Sequence, residues 1–282
     1  MKLCTIQPHM PHSIPDSVRE IIRWIENAAK SGADIAVFPE MMLTGYDHQL
    51  HDLFRDTRWH RQVDEALSEL SDVVDASGTS AFVGMPYPYG GGHLNALVLL
   101  QPESDAVVAG ARSHLPVGDR NRWGFVEPED RVPADFQGIS FGSIFCAEAH
   151  HLDYTQGKGL EKSDVILWPG VVGSDHNGKR KITRDWNAEL ARKIAGFYNV
   201  PVLQSNYLTY ATDISTQSAL ESNRMLGGSI ACDASGRVLD QASRTDEEMR
   251  WFELTRVNGI VKVTALDSTH CAECSGGARS IE

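Results

Sequence analysis

The stretch Gly142-Ser143-Ile144-Phe145-Cys146 is an apolar run typical of a buried strand, and the polar turn Ala147-Glu148-Ala149-His150-His151 follows it at once. Cys146 therefore closes the strand beside a carboxylate and two imidazoles. In open α/β sheets, ligands and catalytic groups gather outside the carboxyl ends of strands. This stretch predicts an α/β sheet that presents a thiol to a substrate, although a buried and inert cysteine remains the alternative.

A carboxylate ends an earlier apolar run in the same way, in Ala36-Val37-Phe38-Pro39-Glu40. Two polar groups at the ends of two strands indicate one shared site. Glu40 fits a general base that takes the proton of the Cys146 thiol and later activates water. The alternative is an acidic residue favoured at a helix N-terminus by the helix dipole.

Outward from these two runs, strand-like segments alternate with helical periodicity, which predicts an α/β protein with hairpins and mixed sheets. No Pro/Ser-rich linker divides the chain, so we expect one domain over residues 1–266. The tail 267–282 is small and polar, and we expect it to be mobile or packed on a partner subunit. The predicted helices are centred on Val18–Ala28, Val63–Val73, Asp153–Lys162 and Thr183–Tyr198. The predicted strands are Met1–Gln7, Asp34–Phe38, Ser80–Gly84, Leu94–Leu100, Ala106–Arg112, Ile139–Cys146, Val165–Trp168, Val202–Asn206, Gly228–Asp233, Val238–Leu239 and Gly259–Leu266.

The composition limits the classes of function. The chain has 282 residues and a formal net charge of −12, which argues against a nucleic-acid partner, since nucleic-acid binders are basic. No window approaches the roughly 18 apolar residues of a membrane span, and the start lacks a signal-peptide pattern. Five scattered cysteines make a disulfide framework improbable and favour the cytoplasm. Gly90-Gly91-Gly92 is typical of a hairpin loop rather than a phosphate loop, so no cofactor is expected.

Several motifs in order resemble those of the nitrilase (carbon–nitrogen hydrolase) superfamily, and the resemblance covers roughly residues 1–266. A set of motifs in order is far more specific than any one of them. The segments that carry it are Ala33–Tyr46, Val83–Pro86, Leu94–Ala96, Arg112–Leu115, Gly142–Glu148, Lys162–Pro169 and Gly227–Gly236.

The resemblance implies a four-layer α-β-β-α sandwich, usually assembled as a homodimer or higher homo-oligomer. It implies hydrolysis or condensation of non-peptide C–N bonds through an acyl-enzyme. By position, Cys146 is then the nucleophile and Glu40 the base. The N–H of Ala147 is a plausible oxyanion donor, and Glu148 orients the turn rather than reacting.

Two positions depart from the family pattern. Arg112 stands where the family has its lysine, and it keeps the charge with a bulkier, planar head. The family's second glutamate has no clean counterpart: Asn121 or Arg122 falls nearest its place, and Asp119 and Glu127 are the available carboxylates. Glu127 would serve only if its loop is rearranged.

The expected function is thiol-dependent hydrolysis of a small amide, carbamoyl compound or nitrile. Glu127, His150 and Trp168 are candidate substrate-binding residues. For His150 an exposed turn is an equal alternative, and for Trp168 core packing is the default. A silent relative that binds a small molecule or partner, and an acyltransferase with an amine acceptor, remain open.

Overall fold

The structure is a computed structural model that describes residues 1–46, 50, 53–128, 130–177, 181–208 and 224–267. Its helices are α1 (Ile14–Lys30), α2 (Trp59–Ser77), α3 (Val117–Trp123) and α4 (Trp186–Tyr198). In chain order, its strands are β1 (Lys2–Gln7), β2 (Ile35–Val37), β3 (Ser80–Tyr89), β4 (Gly92–Leu100), β5 (Val107–Ala111), β6 (Ala134–Phe136), β7 (Ile139–Ser143), β8 (Val165–Gly170), β9 (Ser174–Asn177), β10 (Lys181–Arg184), β11 (Val202–Asn206), β12 (Arg224–Met225), β13 (Ile230–Cys232), β14 (Val238–Gln241), β15 (Glu248–Val257) and β16 (Ile260–Leu266).

These strands build two large mixed sheets and a small one. The seven-stranded sheet has the order β16-β15-β1-β2-β3-β4-β5, and the six-stranded sheet has the order β14-β13-β11-β8-β7-β6. Parallel pairing is confined to β1-β2-β3 in the first and β7-β8-β11 in the second. The carboxyl ends of β2, β7 and β8 therefore mark the functional edge, as the topology of open sheets leads one to expect.

Three apolar clusters separate four layers. The first joins α1 and α2 to the outer face of the seven-stranded sheet, with Ile25 and Leu70 among its members. The second lies between the two sheets, where the rings of Phe82 and Phe141 lie 5.4 Å apart. The third joins α4 to the six-stranded sheet, for example through Ile194. The predicted α-β-β-α sandwich with mixed sheets is confirmed.

Local signals explain the two longest helices. Ser13 caps α1 by accepting a hydrogen bond from the N–H of Asp16, and one face of the helix is buried. Gly78 ends α2 with φ 71°, a left-handed conformation that glycine adopts without strain. Both helices were predicted from their apolar periodicity.

The helix predicted around Asp153–Lys162 is wrong. Two short 3₁₀ turns, Leu152–Thr155 and Leu160–Lys162, stand there instead. Gly157 and Gly159 lie between them with φ 73° and 98°, which breaks any continuous helix.

Strand β15 was not predicted, although it pairs with β1 near the middle of the seven-stranded sheet. Its buried residues lie on both faces: Met249 and Trp251 pack in the first apolar cluster, and Phe252 and Leu254 pack in the second. Charged residues stand between these buried ones and interrupt the continuous apolar run expected of such a strand. The predicted tail lies outside the described residues, apart from Asp267, and the boundary at residue 266 stays a prediction. Within the described part of the chain, no helix combines the length and apolar character needed to cross a membrane.

Candidate active site

Glu40 lies where the chain leaves β2, and its backbone is held tightly. The N–H of Phe38 donates to the carbonyl of Phe82 at 2.9 Å, and the hydroxyl of Tyr207 donates to the Glu40 carbonyl at 2.9 Å. A Cβ on Gly84 would lie 2.8 Å from the Cα of Glu40, so only glycine allows this approach. Local packing therefore fixes the direction in which the Glu40 side chain leaves the sheet.

The two oxygens of the Glu40 carboxyl group have different surroundings. Oε1 accepts hydrogen bonds from Nδ2 of Asn95 at 2.7 Å and Nη1 of Arg112 at 3.2 Å. Oε2 is buried and finds no hydrogen-bond partner among the described residues. Burial raises the pKa of Glu40 to about 7, against the opposing effects of Arg112 and Asn95. A base with a free oxygen and a near-neutral pKa suits proton transfer at physiological pH.

Arg112 follows the last residue of β5 and is 1% exposed. Its Nε donates to the His114 carbonyl at 3.0 Å, while Nη1 faces Glu40 and lies 3.4 Å from Oδ2 of Asp119. Burial by itself lowers the pKa of Arg112, but the surrounding Glu40, Cys146 and Tyr46 raise it above the ordinary value. The structure thus places a permanent positive charge beside Glu40.

Cys146 does not end its strand as the sequence predicted, because β7 stops at Ser143. Cys146 opens a 3₁₀ turn with φ 42°, a left-handed conformation unusual for a residue with a side chain. The indole N–H of Trp168 donates to the Cys146 carbonyl at 3.2 Å, and the thiol donates to the Val171 carbonyl at 3.6 Å. Contacts on both sides of the residue thus hold a sharp turn that presents the sulfur.

The thiol of Cys146 is neutral at rest. Burial and the charge of Glu40 raise its pKa to about 12, while Arg112 and the backbone of Val171 and Ala147 lower it in part. The N–H of Ala147 is therefore close to the sulfur of Cys146, and its role as an oxyanion donor stays a prediction.

Glu148 ties the nucleophile turn to the segment after Arg112. Its Oε1 accepts from the N–H groups of Ser113 at 2.7 Å and His114 at 2.8 Å and pairs with Arg131. Its Oε2 accepts from the N–H of Phe145 at 2.9 Å. Both oxygens of Glu148 are therefore engaged by groups of the protein. These contacts join the turn to neighbouring segments, and the role of Glu148 in orienting the turn stays a prediction.

Asp119 and Glu127, the two carboxylates considered for the second glutamate, have different positions. Asp119 lies on α3, is 5% exposed and reaches Arg112. Glu127 instead accepts a hydrogen bond from the N–H of Leu115 at 3.1 Å and pairs with the half-exposed Arg120. Asp119 therefore belongs to the cluster of buried polar side chains around Glu40 and Arg112, and Glu127 lies beside this cluster. Asn121 is exposed.

The remaining candidates lie around the nucleophile turn. Trp168 has no exposed surface and packs in the third apolar cluster, so it supports the Cys146 backbone from behind. The side chain of His150 is exposed, and its carbonyl accepts a hydrogen bond from Nζ of Lys193 at 2.6 Å. Its ring lies 5.4 Å from that of Trp186. Both residues are neighbours of the turn rather than members of the Glu40 cluster.

Three members of the cluster were not predicted as site residues: Tyr46, Asn95 and Tyr207. Asn95 left a readable signal, since it is a polar residue inside the apolar run Leu94–Leu100 and is fully buried. Buried polar groups need partners, and such a residue often serves a site. Tyr46 and Tyr207 left none, because their hydroxyl partners come from distant parts of the chain. Among the described residues, no group of three or more His, Cys, Asp or Glu side chains is arranged to hold a metal ion.

Comparison with known proteins gives two kinds of relative. The glutamine-dependent NAD(+) synthetase of Acinetobacter baylyi is 23% identical over 94% of this chain, and the enzyme of the same name from Rhodobacter capsulatus is 27% identical over 59%. The aligned segments represent 47% and 30% of those proteins, so the chain spans about half or less of their length.

Solved structures share the fold. An amidase from Nesterenkonia sp. AN1 superposes with a TM-score of 0.69 at 14% identity, over 97% of this chain and 93% of that one. The glutamine-dependent NAD+ synthetase of Acinetobacter baumannii gives a TM-score of 0.73 at 17% identity, over 95% of this chain and 47% of that one.

The family model described as carbon-nitrogen hydrolase matches residues 3–259, a segment that contains every member of the cluster around Glu40 and Cys146. The chain belongs to the carbon–nitrogen hydrolase family.

Proposed function

We propose that the protein is a thiol-dependent amide hydrolase that acts on a small non-peptide C–N bond through an acyl-enzyme on Cys146. The observation that carries the proposal is the pairing of a neutral buried thiol with a carboxylate whose Oε2 is free. Glu40 has a pKa of about 7, so about half of it is ready to accept a proton at neutral pH.

The first step transfers the thiol proton to Glu40 while the sulfur attacks the carbonyl carbon of the amide. The pKa of the thiol is about 12 and that of Glu40 about 7. A complete transfer before attack would therefore be unfavourable, because the buried thiolate is the less stable of the two anions. We infer that proton transfer accompanies C–S bond formation, which relieves this cost as the sulfur loses its negative charge to the substrate oxygen.

The tetrahedral intermediate carries its negative charge on the former carbonyl oxygen. Arg112 and the N–H of Ala147 are the positive groups near the sulfur, and they stabilise that oxygen. Glu40 then returns its proton to the leaving nitrogen, the C–N bond breaks, and ammonia or an amine departs. A water molecule, deprotonated by Glu40, attacks the thioester and releases the acid and the thiol.

The proposed substrates are primary amides, with glutamine as a specific member to test. The solved relatives include an amidase, and the curated relatives are synthetases that depend on glutamine, whose side chain is a primary amide. The same steps would release ammonia from glutamine. Since this chain matches only part of those synthetases, transfer of the ammonia to a further substrate is outside the proposal.

The two alternatives left open by the sequence, a silent relative and an acyltransferase, differ from the proposed hydrolase in what they require of the site. A silent relative that binds a partner has no need of an unpaired carboxylate oxygen beside a thiol, because an unsatisfied buried oxygen costs stability. An acyltransferase shares the first half-reaction and differs only in using an amine in place of water. The acceptor therefore decides between hydrolase and acyltransferase.

The experiment is a panel of short primary amides, glutamine, carbamoyl amino acids and nitriles, followed by released ammonia and by intact mass. We expect ammonia and an acyl adduct on Cys146 with at least one amide, and neither with the Cys146→Ala variant. Ammonia release that survives in that variant would contradict the proposal. A stable adduct that is discharged only by added amines would instead favour the acyltransferase.

A further inference from the structure

Arg112 lies between two carboxylates, and a single nitrogen serves both. Its Nη1 is 3.2 Å from Oε1 of Glu40 and 3.4 Å from Oδ2 of Asp119. Its Nε is already engaged by the His114 carbonyl at 3.0 Å. Both carboxylates are at least nine-tenths buried, so they compete for the same positive charge with little screening by water.

Tyr46 holds Asp119 in this position. Its hydroxyl donates to Oδ2 of Asp119 at 3.0 Å and lies 3.5 Å from Nη1 of Arg112. Its ring meets that of Trp123 edge-on at 5.5 Å, which braces it against the last residue of α3. Asp119 therefore reaches Arg112 from a rigid helix and through a hydrogen bond that fixes the orientation of its carboxylate.

We propose that Asp119, oriented by Tyr46, competes with Glu40 for the guanidinium of Arg112 and thereby sets the pH at which Glu40 becomes a base. The proposal rests on the proposed function of Glu40 as the group that accepts the Cys146 proton. Asp119 acts in two ways in the same direction. Its charge repels ionised Glu40, and its contact with Nη1 reduces the share of Arg112 that is available to Glu40.

The groups that face Glu40 support this direction. Arg112 and Asn95 favour the ionised form, while Asp119, Glu148 and the buried setting oppose it. The other titratable neighbours are Cys146, Tyr46 and Tyr207, whose pKa values burial raises, so they stay neutral near pH 7. Asp119 is thus a negative group that shares Arg112 with Glu40, while the hydrogen bonds to Oε1 of Glu40 come from Asn95 and Arg112.

The test is the pH profile of Cys146 alkylation by iodoacetamide, which needs no knowledge of the substrate. The sulfur forms a bond to the methylene carbon, iodide leaves, and the thiol proton passes to Glu40 and then to solvent. Since the chain has five cysteines, peptide mass mapping must follow the modification at Cys146 itself. The rate rises with pH as Glu40 ionises, so its midpoint reports the pH at which Glu40 acts.

We expect the midpoint to fall by about one pH unit in Asp119→Asn, because a like charge at this distance is lost. Asp119→Glu, which keeps the charge, should retain a midpoint close to that of the wild type. The matched control is Asp164→Asn, which removes a carboxylate paired with Arg256 beside the opposite end of β8. It should leave the midpoint unchanged.

If Asp119→Asn does not fold, as judged by circular dichroism, Asp119→Ser supplies the neutral variant with a smaller side chain. A neutral variant whose profile superimposes on that of the wild type would overturn the proposal. Failure of the proposed function is distinguishable, because it would appear as alkylation at Cys146 with no ammonia from any amide, whatever the midpoint.

Discussion

Glu40 and Glu148 are both fully buried carboxylates that pair with an arginine near the carboxyl end of a strand, yet they are satisfied to different degrees. Glu148 accepts three backbone hydrogen bonds and an ion pair from Arg131, so both its oxygens are engaged. Glu40 has partners on Oε1 and none on Oε2 among the described residues. The comparison indicates that the carboxylate with an unpaired oxygen is the one available for proton transfer. The carboxylate with hydrogen bonds to both oxygens holds the turn in place.

The largest effect is expected from Glu40→Gln. Glutamine keeps the size of the side chain and the acceptor for Asn95, but it cannot take the thiol proton. We expect kcat/KM to fall by about 10³-fold, within the range for loss of a general base. Wild-type kcat/KM should rise with pH through about 7 as Glu40 ionises, and the variant should lose this limb. An unchanged pH profile in the variant would break the distinction between the two carboxylates.

The same variant tests the stability side of the comparison. The pKa of Glu40 is raised by burial from 4.5 to about 7, so the folded state binds the proton more tightly than the unfolded state does. The stability that Glu40 contributes is therefore full below pH 4.5 and is lost as pH rises through 7. At pH 8 the loss is about 3 kcal/mol, so the unfolding free energy of Glu40→Gln should depend less on pH than that of the wild type. A denaturant titration at pH 5 and pH 8 measures the difference.

Arg131→Gln is expected to act on the other carboxylate and to change stability rather than chemistry. Arg131 is 2% exposed, and its loss leaves Glu148 as a buried charge without its cation. We expect the unfolding free energy to fall by about 3 kcal/mol, as when one partner of a buried ion pair is removed. The pH midpoint of kcat/KM should stay where it is, because Glu40 keeps its own partners. A shifted midpoint with unchanged stability would reverse the roles assigned to the two arginines.

A smaller effect is expected from Arg112→Lys. Lysine keeps the positive charge, but it has no second nitrogen with which to contact the His114 carbonyl and Glu40 together. We expect kcat to fall about 10-fold, comparable to the loss of one charge-assisted hydrogen bond. Steady-state kinetics with the best amide of the panel measure it. A wild-type kcat would mean that charge alone, and not the shape of the guanidinium, supports the reaction.

The smallest effect is expected for an arginine–carboxylate ion pair that is more exposed than the pair of Arg131 and Glu148. Arg256 and Asp164 form an ion pair whose side chains are 39% and 22% exposed. Arg256→Gln should lower the unfolding free energy by no more than about 1 kcal/mol and leave activity unchanged, because water screens such pairs. Thermal unfolding compared with Arg131→Gln gives the contrast between a buried and an exposed arginine. Equal losses in the two variants would show that burial does not set the cost.

The parts of the fold that were predicted are those in which local pattern and tertiary environment agree. Helix α2 was identified because an apolar stripe and Gly78 point to the same helix, and β7 because a short apolar run is buried on both faces. Strand β15 was missed, since charged residues interrupt its apolar run although both of its faces carry buried residues. The helix predicted at Asp153–Lys162 is absent because two glycines with positive φ interrupt a segment whose composition favours a helix.

For the site, local pattern points to a thiol and a carboxylate that each follow an apolar run, Cys146 and Glu40, because strand ends can be recognised from such runs. Arg112 was predicted from the resemblance to the carbon–nitrogen hydrolase motifs and not from local pattern. The pairing of these side chains depends on the tertiary structure. Asp119 rather than Glu127 reaches Arg112, Tyr46 and Asn95 join the cluster, and Glu40 rather than Glu148 keeps a free oxygen. Those outcomes depend on distances between segments far apart in the chain and on the burial that shifts pKa values, and neither quantity is written in local pattern.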